Sequence, residues 1–363
     1  MNRSELTIEN DPSPQNILPQ NSIPDENKLL IGSYKSGGIG DMCDYVVLLR
    51  SVKEKHPNSK LIVYYDCKLF YPIFEKIDWI YKHKIIPPQN KTKFVNEDIF
   101  RSLISKFDLF YNFMPYVGKC YRGDEVILDK LPVLYKPDID VDWNIKWSDY
   151  YDNPLSQYQN SLIDNFPKTD HLKITCMSCD LPEPNWDNLN LGFENTNCQE
   201  EYCTFSVSAA GTMKGIFQTK QWDYENWVKF LELYDLDYPL YQIGIKGEPK
   251  FGNNLFWDKP LYKTLEFLKN SKFHISVENG TVRMRKLVGG FSAKSLVIYG
   301  STHPDIFGLP GDIPIWTNRC RPCYWSIGEW MTKCYRENSS FNRICTKSVT
   351  PEMVYETMHR NCE

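Results

Sequence analysis

The sequence predicts an α/β fold of two Rossmann-like lobes whose parallel sheets face a central cleft. Three observations carry this expectation. The chain has 363 residues, too many for one hydrophobic core and suited to two domains of roughly 150 residues each. A strand, a glycine turn and a helix follow one another from Leu29. A second alternation of strand and helix begins at Cys203.

In the first lobe, Leu29 to Tyr34 reads as a strand. Lys35-Ser36-Gly37-Gly38-Ile39-Gly40-Asp41 reads as the turn, and Met42, Tyr45, Val46, Leu49 and Val52 fall at helical spacing. Leu61 to Tyr65 is a second strand, Tyr71 to Trp79 a helix, and Asp108 to Phe113 a further strand. Such alternation argues for a parallel sheet covered by helices. From Lys136 to Asn197 the chain is dense in Pro, Asn, Asp and Trp without periodicity, which predicts loops, short helices and the connection between lobes.

The second lobe reads as strands at Cys203 to Ser208, Leu240 to Gly244, Phe273 to Val277 and Leu296 to Gly300. Between them lie helices at Trp222 to Leu233, Leu261 to Lys269 and Val282 to Val288. A last helix opens at Thr350-Pro351-Glu352, with Thr350 as N-cap and Pro351 at the first helical position. The expected divisions are a flexible tail at 1–28, a first domain at 29–170, a connector at 171–200, a second domain at 201–345 and a terminal helix at 346–363.

Composition narrows the function classes. No apolar run reaches the roughly 18 to 20 residues that span a bilayer, and the N-terminus lacks a basic start before an apolar core, so a soluble cytoplasmic protein is expected. With 42 Lys and Arg against 46 Asp and Glu, the net charge of −4 supplies no global attraction for nucleic acid or anionic membrane. A localised basic groove would still allow nucleic acid. Twelve cysteines in a large cytosolic chain point away from disulfides and toward metal ligation.

Four constellations carry chemistry. Gly38 and Gly40 sit where the first strand turns into its helix, where a backbone can approach a phosphate or an acceptor. The spacing matches neither a dinucleotide fingerprint nor a P-loop. Asp41 would point into the crevice beyond the strand ends and could take a proton from an acceptor hydroxyl, or it could cap the helix. Lys220, before Trp222 and Trp227, could neutralise a diphosphate or be an ordinary solvated lysine. Glu278-Asn279-Gly280-Thr281 follows a strand and precedes a helix, so it reads as a second ligand-binding turn or a plain one.

The fourth is Cys320-x2-Cys323-x10-Cys334-x10-Cys345. Four thiolates suit a tetrahedral structural site for zinc or iron within the Cys-rich segment 320–345, and such a closed shell leaves no position for substrate. Free reduced thiols are the alternative. Cys176-x2-Cys179, with Cys198 and Cys203, has less regular spacing.

Taken together, these motifs resemble the heptosyltransferase family, glycosyltransferase family 9, over most of both lobes. The resemblance rests on Gly38-Ile39-Gly40-Asp41 with Leu49-Arg50 and Pro57, then Lys220-Gln221-Trp222, then Gly244 with Glu248. It continues through Glu278-Asn279-Gly280-Thr281, Tyr299-Gly300-Ser301-Thr302-His303-Pro304, Cys345 and Thr350-Pro351-Glu352. It implies a GT-B glycosyltransferase with an acceptor domain first and a nucleotide-sugar domain second. Asp41 would be the general base, Lys220 would meet the donor phosphate, Glu248 the donor ribose, and Asn279, Gly280 and Thr281 the diphosphate and sugar. The implied chemistry is direct displacement at the anomeric carbon with inversion and no metal in the chemical step.

The family pattern carries a His three residues after the glycine of that turn, where this chain has Arg283. A guanidinium there could clamp phosphate, although it leaves the donor sugar open. The cysteine tail is similar to the metal segment of autotransporter heptosyltransferases, which implies ADP-heptose, Ser or Thr hydroxyls of a surface protein as acceptor, bound iron and a homo-oligomer. A lipopolysaccharide or other glycan acceptor, modified DNA, and a non-catalytic metal-stabilised scaffold are the competing readings.

Overall fold

The computed structural model describes residues 28–86, 97–113, 118–128, 170–187, 189, 191, 193, 200–209, 218–317, 332, 334 and 343–362. They form two six-stranded sheets. The first contains β1 (Leu30–Lys35), β2 (Lys60–Tyr65), β3 (Lys82–Ile85), β4 (Leu109–Asn112), β5 (Lys119–Arg122) and β6 (Glu125–Leu128), in the order β3-β2-β1-β4-β5-β6. The second contains β7 (Cys203–Ser206), β8 (Leu240–Gly244), β9 (Leu255–Trp257), β10 (Phe273–Val277), β11 (Ser295–Ile298) and β12 (Ile313–Ile315), in the order β12-β11-β10-β7-β8-β9.

Counted within its own lobe, each sheet has the strand order 3-2-1-4-5-6 of a doubly wound dinucleotide-binding fold. The second sheet is parallel throughout. In the first, β5 and β6 run antiparallel, a departure from the expected all-parallel arrangement. They form a hairpin around Gly123, whose φ of +56° is the left-handed conformation such two-residue turns require.

The helices are α1 (Ile39–Lys55), α2 (Tyr71–Phe74), α3 (Glu97–Ile104), α4 (His171–Ser178), α5 (Tyr224–Leu233), α6 (Leu261–Asn270), α7 (Gly280–Gly289), α8 (Pro304–Phe307), α9 (Ile344–Lys347) and α10 (Pro351–Cys362). α2 is shorter than expected. Ile73, Phe74, Ile77 and Ile80 are all buried, but the Lys76, Ile77 and Ile80 amides bond to carbonyls three residues back, giving tight turns in place of a continued α-helix. α10 begins where expected, with the Met353 amide donating to Thr350 Oγ1 at 3.3 Å.

The central strand β1 is buried along almost its whole length, as a parallel strand covered on both faces should be. Gly32 lets the Phe107 and Phe110 rings close on it, because a Cβ there would lie 2.4 Å from Phe110. That reverse face, with Tyr34, Ile62 and Tyr64, lies under α3. The other face joins α1, α4 and α7 in one apolar core that runs into the second lobe through Ile243, Leu265, Val297 and Phe307. A third cluster, anchored by Trp222, Trp227, Phe230, Val354 and Met358, fills the outer face of the second sheet under α5 and α10. Trp222 Nε1 donates to the Val349 carbonyl at 2.8 Å, so this tryptophan ties the terminal helix to the lobe.

α7 is buried nearly all round, and its three basic residues are each committed. Arg283 reaches the first lobe. Arg285 donates to the Leu268, Ser271 and Lys272 carbonyls at the end of α6, where a cation complements the helix dipole. Lys286 pairs with Asp312 at 3.3 Å. Among the described residues, no helix is long and apolar enough to cross a membrane.

Candidate functional site

A cavity of about 470 Å³ opens where the C-terminal ends of β1, β7 and β10 meet. These are the two points at which the strand order reverses, β1 beside β4 and β7 beside β10, the place where open α/β sheets hold ligands. From the first lobe come Gly38, Gly40, Asp41, Asp44 and Leu69. The second contributes Ser208, Lys220, Glu248, Glu278 and the start of α7. Every site residue expected from the sequence outside the cysteine tail therefore borders one cavity.

Gly37 makes the turn out of β1 with φ +148°, and a Cβ there would fall 2.4 Å from Asp41 Oδ2. Asp41 Oδ2 accepts the Gly38 amide at 2.8 Å, closing the first turn of α1. The helix-capping reading of Asp41 thus describes one of its oxygens. Oδ1 has no hydrogen-bond partner among the described residues and Asp41 lines the cavity, so capping leaves one carboxylate oxygen uncommitted. Gly38 itself has extended backbone that any residue adopts. Gly40 is tightly packed, since its Cβ would lie 3.1 Å from Arg283 Cδ and 3.4 Å from Gly280 Cα.

Lys220 Nζ pairs with Glu278 Oε2 at 2.5 Å, and Thr302 Oγ1 also donates to that oxygen at 3.3 Å. Burial would push the Glu278 carboxyl up, but the charges of Lys220 and Arg283 and these hydrogen bonds outweigh it and hold it below the usual carboxylate range. Lys220 is therefore a positioned cation at the cavity wall, not a free surface lysine. Glu248 lies after β8, the second strand of its lobe, where doubly wound folds place the acid that meets a ribose. The Ile245 amide donates to its Oε2 at 3.1 Å, and burial raises its carboxyl against that bond.

Asn279 and Thr281 border the cavity, yet their polar atoms turn into its floor. Asn279 Oδ1 accepts from the Thr281 and Val282 amides, at 2.9 and 3.4 Å, as the N-cap of α7. Its Nδ2 donates to Ser206 Oγ and the Ser208 carbonyl, both at 3.0 Å. Thr281 Oγ1 bonds to Asn279, Ser206 and His274. A strand-end polar run cannot reveal whether its groups face a ligand or one another. Here they hold the helix start in place.

Arg283, expected on a phosphate, points elsewhere. Its Nη1 donates to Asp44 Oδ1 at 2.5 Å and its Nη2 to the Phe307 carbonyl at 3.3 Å, with both side chains buried. Asp44 Oδ2 meets His171 Nε2 at 3.1 Å, and His171 Nδ1 lies 2.9 Å from the Ile306 carbonyl. Burial would raise the Asp44 carboxyl, but Arg283, His171 and Lys35 together lower it.

Sequence reasoning passed over Asp44, His171 and Ser208. Asp44 follows Asp41 by three residues, so both lie on one helix face; nothing in the sequence connects either to His171. Ser208 had a readable signal, since Ser-Ala-Ala-Gly directly after the lobe's first strand is a small-residue turn of the kind that approaches phosphates. Ser208 borders the cavity, and its hydroxyl is buried with no hydrogen-bond partner among the described residues.

Of the tail, Cys320 and Cys323 lie outside the described residues. Cys334 is buried and Cys345 half-buried. Among the described residues, no group of three or more His, Cys, Asp or Glu could hold a metal. In the second cysteine pair, Cys176 and Cys179 are both buried at α4, and burial pushes the Cys176 thiol up to about 12, the environment of an inert thiol. Cys203 is buried within β7, and Cys198 lies outside the described residues.

No family model matches the chain, and no curated protein matches its sequence. Solved structures do. The iron-containing dodecameric glycosyltransferase TibC of enterotoxigenic E. coli superposes with a TM-score of 0.57 at 13% identity, covering 93% of this chain and 78% of that one. E. coli heptosyltransferase WaaC with ADP gives 0.54 at 14%, over 92% and 100%. A family 9 glycosyl transferase of Veillonella parvula gives 0.53 at 13%, over 92% and 97%. At these identities the likeness is one of fold, and it agrees with the two reversed-order sheets around one cavity: the chain has the GT-B architecture.

Proposed function

We propose that the chain is an inverting glycosyltransferase that uses a nucleotide-activated sugar, with ADP-heptose as the first candidate donor. One observation carries the reading: a single cavity is lined by Asp41 from one lobe and, from the other, by a paired lysine, a serine whose buried hydroxyl has no partner among the described residues, and a helix N-terminus. That is a carboxylate facing an anion-binding wall. The Asp41 carboxylate takes the proton of the acceptor hydroxyl, the acceptor oxygen bonds to the anomeric carbon from the far side, and the bond to the diphosphate breaks with the nucleoside diphosphate leaving. Lys220, Ser208 and the start of α7 at Gly280 receive the diphosphate. Glu248 receives the ribose. Arg283 is engaged by Asp44 and takes no part in donor contact.

TibC and WaaC, the first an iron-containing dodecamer and one of its structures holding ADP-D-β-D-heptose, support the donor class. The iron and the dodecamer of TibC support a structural metal, iron or zinc, on Cys320, Cys323, Cys334 and Cys345 and a homo-oligomer as parts of the proposal; protein Ser or Thr hydroxyls are its first acceptor class, on the cysteine pattern of the sequence.

Calorimetric titration with ADP-, UDP-, GDP- and CMP-sugars, alongside a hydrolysis assay for each, tests the reading. One donor should bind and be turned over, and Asp41→Asn should lower turnover about a hundredfold or more while donor affinity holds. Silence across the panel would leave the scaffold reading in its place.

A further inference from the structure

Among the described residues, Asp44 is a carboxylate held by two basic side chains, Arg283 from the second lobe and His171 from a helix packed on the first, and both also bond to the second lobe. Its Oδ1 takes Arg283 from α7 and its Oδ2 takes His171 from α4. Both arms then reach the same short helix of the second lobe: Arg283 Nη2 donates to the Phe307 carbonyl and His171 Nδ1 to the Ile306 carbonyl. A carbonyl and a carboxylate only accept, so each ring nitrogen of His171 faces an acceptor. All three side chains are buried.

A buried ion pair is poor evidence for stability, because removing two charges from water costs most of what their attraction returns. Its geometry, however, allows little freedom: two oxygens of one carboxylate are fixed in two directions. Asp44 lies one helical turn beyond Asp41, roughly 4.5 Å along α1. One turn before it, Gly40 rests against Gly280 at the start of α7. The two helices that face each other across the cavity are thus in glycine contact at their tips and tied by an ion pair just behind.

We infer that Asp44, through Arg283 and His171, is a positioning residue: it sets the distance between the lobes at which Asp41 meets a sugar donor bound at the start of α7. The catalytic part of this inference rests on the glycosyl-transfer reading; the tie between the lobes does not. Asp44 works on turnover and not on donor capture, because its carboxylate bonds to Arg283 and His171 and not to Lys220 or Ser208.

The test uses the full-length protein and the isosteric variant Asp44→Asn, with Arg283→Gln and the double variant. Each single variant should lower kcat at least tenfold while KM for the donor stays within about threefold, and the double should be no slower than the slower single, since the residues act as one unit. Hydrogen exchange should rise in 38–44, 280–284 and 304–307 while the strands of both sheets keep their protection. Wild-type kcat in Asp44→Asn, or a loss that appears in KM alone, overturns the positioning role. Unchanged exchange in those three segments overturns the tie. If Asp44→Asn does not fold, Arg283→Lys keeps the charge but cannot reach both Asp44 and the Phe307 carbonyl, and it must show the same kcat loss and local exchange. If the unmodified protein turns over no sugar nucleotide, the glycosyl-transfer reading fails, and exchange alone then decides whether the tie exists.

Discussion

Gly40 and Gly280 meet across the cleft, and a methyl group on Gly40 would stand 3.4 Å from the Gly280 Cα. This contact brings the N-terminal ends of α1 and α7 to one cavity, and with them two positive dipole ends. An exposed helical glycine changed to a larger residue usually gains some helix propensity. Here the contact with Arg283 and Gly280 opposes it. Gly40→Val should lower turnover at least tenfold by parting the helices, whereas Gly38→Ala, whose Cβ would meet nothing closer than 3.8 Å, should leave thermal stability within about 1 kcal/mol of wild type. Thermal unfolding of both variants with turnover of the first checks this, and a fully active Gly40→Val would dismiss the contact as incidental.

Ser208 separates binding from stability in a single substitution. Among the described residues its buried hydroxyl has no hydrogen-bond partner, so removing it forfeits no bond to them. A hydrogen bond to a charged phosphate is worth about 1.5–3 kcal/mol. Ser208→Ala should therefore weaken donor binding about tenfold or more while the melting temperature of the free protein stays level or rises. Lys220→Ala should weaken binding too, but with a loss of stability, because Glu278 is left buried without its cation. Calorimetry and thermal unfolding distinguish the two patterns; equal donor affinity in Ser208→Ala and wild type would remove the hydroxyl from the site.

Much of this arrangement could be read from the chain. The strands Leu240–Gly244 and Phe273–Val277 have the bounds their apolar runs suggest, since a strand buried on both faces stands out between polar turns. The strand ends then mark the cavity, because ligands of this fold lie at the reversal of strand order. What was not legible is pairing over long separations. Asp44 and Arg283 are 239 residues apart and Asp44 and His171 127, and no local spacing encodes either bond. Arg283 therefore looked like a phosphate ligand until its partner was visible. Asn279 misled in the same direction, since a capping asparagine and a ligand-binding one have the same sequence context.

The cysteine tail yields a chemical prediction of its own. A tetrahedral thiolate site contributes folding free energy to the segment that holds it, and the metal must then accompany the purified protein. Protein prepared without oxygen should carry about one iron or zinc per chain by elemental analysis, and Cys320→Ser with Cys323→Ser should abolish it. Metal-free wild-type protein from such a preparation would reduce the tail to free thiols.

Two buried groups give the stability of the second lobe opposing pH dependences. His274 lies between Thr204 Oγ1 and Thr281 Oγ1, each at 2.9 Å, and burial together with Arg285 pushes its pKa down to about 3. The unfolded chain takes up that proton near pH 6.5. Stability from a neutral His274 is thus complete above about 6.5 and is lost as the pH falls toward 3. Asp312 is the reverse case. Burial, only partly offset by Lys286 and the Ser295 amide, raises its carboxyl to about 6, so the folded protein keeps a proton that the unfolded chain releases near 3.8. Stability from Asp312 is present in acid and is lost as the pH rises to about 6. Between pH 4 and 6 each contributes a slope of up to about 1.4 kcal/mol per pH unit, of opposite sign. Relative to wild type, His274→Gln should become less stable as the pH rises from 4 to 6, and Asp312→Asn should become less stable as it falls from 6 to 4. Melting temperatures of the three proteins across this range give the comparison, and two variants that tilt the same way would show that one of the groups does not titrate as its surroundings require.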